Sequence, residues 1–350
     1  MKPRNSRLVS FRIAAALITT TASLHAASGT WTGLTDSTWQ ENGNWSGASF
    51  PNGAGQTATF NGTGNGNTNV TLGGGSITLA NFGGTGILVD TPSVASYAIS
   101  NGTINTFQGG SIVRLNPTVV NNQSVTAGIV TDSQSVLYTT EAVLNYSPAA
   151  RLTLGNLSVL SAATGTGSTT YSFRGLGDIT VAGAITDNLS GVAPRLTAVA
   201  NHRAATLVLS GANAFSGAFS GTDTPQSLSG GLGGTVVLDY SSGNAVLASG
   251  TSVTPGRSGS GNLVLKGNTT GTTSLTLSST QRFAAGYSTI TVDNNGGSGT
   301  TLTLGSDWRG WNTTGGGKMA LFDLSGGGQV QTTGAISGGY SISRGIIRNS

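Results

Sequence analysis

Four aspartates close aliphatic runs and have the widest chemical reach in the chain: Asp90 after ILV, Asp239 after VVL, Asp293 after ITV and Asp323 after LF. Glycosidic hydrolysis needs two carboxyl groups flanking one bond, roughly 5–9.5 Å apart. If the runs are strands stacked rung upon rung, equivalent positions lie about 4.8 Å apart and two of these acids could meet. The competing expectation, which we favour, is that each carboxylate accepts a hydrogen bond from the turn that follows it. Other chemistry is thin. His202, in Asn201-His202-Arg203, reads as a solvated residue beside a turn, with no second histidine near it to build a metal site. Lys318 follows three glycines, but the rest of a phosphate-binding loop is missing, and there is no Gly-x-Ser-x-Gly elbow. Asp293-Asn294-Asn295-Gly296-Gly297 offers calcium-type oxygens beside a glycine turn, without the repeated nonapeptide of a calcium-binding β-roll. No catalytic, cofactor-binding or metal-binding residue is assigned, and no cofactor is implied.

A second constellation is aromatic. Trp31, Trp39, Trp45, Phe50 and Phe60 crowd into one short stretch of a chain that is only 6% aromatic. Exposed, they would be a sugar-stacking platform, the basis of a carbohydrate-binding module. Buried, they would plug the open end of a repetitive core, because a terminal repeat needs an atypical cap. We expect the cap, over residues 28–60.

The elements that must position these residues are short and numerous. Glycine accounts for 56 of 350 residues, cysteine for none, and charged residues for 8%. Glycine costs roughly 0.5–1 kcal/mol inside a regular element, so this much of it is tolerable only where the backbone keeps turning. Proline numbers 8 and the glycines have no period of three, which excludes collagen. Runs such as Leu207–Leu209, Leu263–Lys266, Leu275–Leu277, Ile290–Asp293 and Leu302–Leu304 alternate aliphatic and hydroxyl side chains, the period of a half-buried strand. In the last third these runs start about 12 to 15 residues apart, separated by Asn- and Gly-rich turns. The expected fold is all-β, a right-handed parallel β-helix with an N-terminal aromatic cap. Residues 61–350 form its repeats, and the stretch 91–170, broken by Pro92, Pro117 and Pro148, should carry longer loops.

Lys2, Arg4, Arg7 and Arg12 precede the apolar run Ile13–Leu24 and the small residues Ala26 and Ala27. That order reads as a signal peptide over residues 1–27 and implies export. Those four bases belong to the sixteen Lys and Arg that face twelve Asp and Glu, so the remainder is balanced. A basic-patch case for nucleic acid fails on that balance. With no cysteine, the core alone must hold the exported chain together.

The segment LVLSGANAFSG, Leu207–Gly217, is the clearest statement of the repeat unit, within 205–221. Leu207, Leu209, Gly211, Asn213, Phe215 and Gly217 resemble the autotransporter-associated β-strand repeat, also called the passenger-associated transport repeat. The continuation Gly221-Thr222-Asp223 departs from the family pattern. The Trp31/Trp39/Asn44-Trp45/Pro51/Ala58-x-Phe60 opening and the run Val236–Gly305 are similar to large secreted proteins of that type. The resemblance implies an exported, non-enzymatic β-helical passenger, structural or adhesive, secreted or held at the cell surface. Its partners would be extracellular polysaccharide and the secretion machinery. A rival expectation is a secreted β-helical polysaccharide-degrading enzyme. The ending Gly345–Ser350 lacks the alternating strands and terminal aromatic of a membrane barrel, so a passenger fragment is expected.

Overall fold

The computed structural model describes residues 28–47, 49–79, 84–107, 109–132, 138–160, 168–187, 195–202, 206–214, 218–220, 234–247, 249, 253–254, 261–277, 280–283, 286–305, 307–310, 318–334 and 346–348. The signal-peptide reading, Arg203, Phe215, Gly217 and Gly221–Asp223 lie outside them. Each coil visits three faces in turn. Face I is a nine-stranded sheet running from Gly29–Thr30 to Val253–Thr254. Face II is an eleven-stranded sheet running from Asn69–Thr71 to Ile346–Arg348. Face III is a five-stranded sheet from Ser76–Thr78 to Ile185–Asp187, and its position in later coils is taken by a three-stranded sheet from Thr272–Thr276 to Gln329–Thr332. A two-stranded sheet, Thr280–Phe283 with Asp307–Gly310, completes the described ladders. Every strand pair in these sheets is parallel, as in Leu152–Leu154 on Ile179–Val181 on Leu207–Leu209. This is a β-solenoid.

Register explains why the sequence folds this way. One rung lies 26 residues from the next between Ile99 and Val125, and 29 between Leu209 and Leu238. Strand alternation then turns aliphatic positions inward on rung after rung. Leu154, Val181, Leu209, Leu238, Leu265 and Val292 form one buried column on face II. Ile77, Ile104, Ile129, Leu157 and Ile185 form another on face III. Burying each such side chain contributes about 1.5–3 kcal/mol. The intervening Thr, Ser and Val positions face outward and are half-buried.

The 12–15-residue spacing is half a coil: Leu263 and Ile290 stack on face II, whereas Leu275 and Leu302 stack on face III. The stretch 91–170, expected to carry longer loops, holds strands of all three faces from Ala98–Ser100 to Ser168–Gly175, while residues 108, 133–137 and 161–167 within it lie outside the described residues. Pro92, Pro117 and Pro148 all fall at the same turn, between faces I and II of successive coils. There a fixed φ and a missing amide cost the ladder nothing.

The tryptophans close the N-terminal end. Trp31, Trp39 and Trp45 are 2%, 0% and 4% exposed. Trp45 meets Trp31 and Trp39 edge-on, at centroid distances of 5.1 and 4.7 Å, a favoured aromatic geometry. Each indole N–H donates to a carbonyl: Trp31 to Asn67 at 3.1 Å, Trp39 to Pro51 at 3.1 Å, Trp45 to Trp39 at 2.7 Å. Their burial rules out the sugar-stacking platform.

One core region is polar. Glu141, 2% exposed, stands on face I in register with Gly110 and Tyr171 on the neighbouring rungs. Its Oε1 accepts from the Gly109 amide at 2.8 Å. The Tyr171 hydroxyl donates to the Ser158 carbonyl at 2.8 Å and sits 3.1 Å from Thr131 Oγ1, itself 3.0 Å from Thr106 Oγ1. These contacts keep the buried hydroxyls satisfied.

Candidate functional site

The four strand-end aspartates do not converge. Asp90 follows the face I strand Thr85–Val89, while Asp239, Asp293 and Asp323 belong to face II. Asp239 and Asp293 share a column, but Lys266 stands on the rung between them. Asp323 pairs with Thr291, two positions short of Asp293. Each carboxylate instead accepts an amide from its own turn: Thr91 N on Asp90 at 2.8 Å, Ser241 N on Asp239 at 2.9 Å, Asn295 N on Asp293 at 2.8 Å and Ser325 N on Asp323 at 3.1 Å. Burial pushes the Asp239 carboxyl up, but hydrogen bonds from Ser241 and the Lys266 ammonium at 3.3 Å outweigh it and hold it below its ordinary value. A lowered value suits a structural anion and not a general acid, which needs a raised one.

The Asp293–Gly297 turn is likewise spent on other coils, one and two rungs away. Asn295 Nδ2 donates to Ser241 Oγ at 2.9 Å and to the Gly267 carbonyl at 3.0 Å, and Asn294 Nδ2 to the Gly327 carbonyl at 2.8 Å. Among the described residues no group of three His, Asp or Glu gathers. His202 ends a face I strand, in register with Arg174, and Lys318 opens a face II strand.

What the coils do bring together is a ridge and groove at the turn between faces I and II. Asn145 builds it. Its Nδ2 donates to the Ala150 carbonyl at 2.7 Å and the Asp178 carbonyl at 2.9 Å, and its Oδ1 accepts from Ser147 N at 3.1 Å. Ser147 Oγ in turn donates to the Val119 carbonyl of the preceding coil. Three successive turns are thus pegged side by side. Between them lies a groove of about 200 Å³ lined by Asn122, Pro148, Ala149, Ala150, Arg151 and Asp178. The Arg151 amide is held by Asn122 Oδ1 at 2.8 Å, and Asp178 Oδ1 accepts from Thr206 N at 3.2 Å. Beside the groove, the Arg114 guanidinium sits 5.6 Å over the Tyr146 ring, a cation–π distance. Leu176, 59% exposed, and Val120, 53% exposed, lie on the same turns.

Sequence reasoning missed this ridge. Its signal was periodic: Arg114, Leu144, Arg174 and His202 recur at 28–30-residue intervals and stack in one column. Comparison of the chain with protein-family models, curated proteins and solved structures finds no match.

Proposed function

We propose that the chain is an exported, non-enzymatic β-solenoid of passenger type, a structural or adhesive element at the cell surface or released from it. The observation that carries this reading is the use made of the strand-end aspartates. All four serve their own turns, so the acids a glycan-cleaving rival would require are committed to holding corners. The basic leader followed by an apolar run supports export. The outward rows of Thr and Ser, with a ridge of arginines at one corner, supply a surface for extracellular polysaccharide.

The test is an assay of the purified protein on a polysaccharide panel, scored by new reducing ends, with Asp239→Asn alongside. We expect no release by either protein. Release by the wild type that Asp239→Asn abolishes would establish the enzyme instead.

A further inference from the structure

We infer that the ridge between faces I and II binds an anionic polysaccharide carrying one carboxylate per two sugars, gripped by Arg114, Arg174 and Arg151. The inference deepens the adhesive reading of the exterior and rests on it.

Arg114, Leu144 and Arg174 occupy consecutive rungs of one face I column. Their inward neighbours Val113, Leu115 and Phe173 are fully buried, so alternation sends the arginines outward. Two rungs separate them, about 9.6 Å at the usual strand spacing, which is about the length of one disaccharide. Arg151 stands exposed in the adjoining groove. None of the three is ion-paired among the described residues: Arg114 Nε donates to Asn116 Oδ1 at 3.0 Å and Arg174 Nε to Ser172 Oγ at 2.7 Å. In a chain with so few charges, three guanidinium groups with no ion pair among the described residues outnumber the two carboxylates beside them, Asp90 and Asp178. The acids nearby keep their charge but are turned to backbone and amide donors. Asp178 accepts from Thr206 N, and Asp90 from Thr91 N and from Asn116 Nδ2 at 2.9 Å.

A guanidinium presents two parallel N–H donors to a carboxylate, so two of them at a fixed separation favour a polymer with carboxylates at that separation. Tyr146 and Leu176 give the ridge apolar surface for the faces of the intervening sugars. Single-stranded nucleic acid is the competing polyanion. Its charges are closer together, at one per about 3.4 Å in a helical strand, so only every third phosphate could meet an arginine and those between would face Leu144.

The experiment is calorimetric titration of the full chain with a hyaluronan decasaccharide, cellohexaose and a twenty-residue oligothymidylate. We expect hyaluronan to bind and to weaken with added salt, cellohexaose and oligothymidylate not to bind, and Arg114→Gln with Arg174→Gln to weaken hyaluronan about tenfold or more. Arg114 also braces Asn116, so the exposed Arg151→Glu, with circular dichroism unchanged, provides a second variant expected to weaken binding. Absence of hyaluronan binding, indifference to all three substitutions, or oligothymidylate binding as tightly would overturn the inference. Reducing ends are measured in the same mixtures. Cleavage would sink the non-enzymatic reading while leaving the ridge assignment standing, and failed binding would do the reverse.

Discussion

Glu141 shows how a single side chain can set the acid response of this fold. Burial pushes its carboxyl up to about 6 from an ordinary 4.5, and the hydrogen bond from Gly109 offsets only part of the rise. Tyr171, facing it from the next rung, is also pushed up, by burial first and partly by the Glu141 charge. The folded state therefore holds the Glu141 proton more tightly than the unfolded chain does. Its contribution to stability is greatest below about pH 4.5 and is lost as pH rises through 6, with a difference of roughly 2 kcal/mol between the limits. Glu141→Gln keeps an oxygen for Gly109 and removes the charge. We expect it to raise the melting temperature by a few degrees at pH 8 and to change it little at pH 4. Equal shifts at both pH values, read in a thermal series, would contradict this assignment.

At the scale of the turn between faces II and III, successive coils approach through glycine. A Cβ added at Gly211 would collide with the Gly183 carbonyl, and one at Gly183 with the backbone of Gly155 and Asn156. Gly62 has nothing within 4 Å of such a Cβ. Gly183→Ala and Gly211→Ala should each cost about 1–3 kcal/mol, the usual penalty of overpacking, while Gly62→Ala should be neutral or slightly stabilising. Chemical denaturation midpoints check the contrast. Gly211 and Asn213 are also where the sequence was most readable. Asn213 is buried, with its Oδ1 accepting from Ile185 N at 2.7 Å and its Nδ2 donating to the Val246 carbonyl at 2.8 Å. The Gly-x-Asn of the repeat thus stitches three coils together. Strands with Leu-x-Leu alternation, such as Leu152–Leu154, were legible for the same reason. Thr103–Phe107 and Gln123–Val125 were not, since TINTF and QSV carry too few aliphatics to show a period. Nor was the arginine ridge, because its members meet only once the local coil length of 28 to 30 residues is known.

For the molecule as a whole, we expect unfolding to begin at the aromatic end once its plug is weakened. Trp39 is fully buried, and Trp39→Ala should cost about 3–5 kcal/mol. We expect that loss to appear first as faster amide exchange at Ala58–Phe60, with Leu263–Lys266 protected for longer; uniform acceleration along the stack would argue against a terminal plug. The ladder direction carries a mechanical corollary. Because the strands are parallel and each ladder bonds a coil to the coils beside it, a pull on the two ends loads the ladder one layer of hydrogen bonds at a time. A layer such as that between Ile104 and Ile129 frees 25 residues and one such as that between Thr291 and Asp323 frees 32, roughly 80–110 Å of slack at full extension. Such a tether would lengthen in steps of one coil under tension and could recover them one by one when the tension falls.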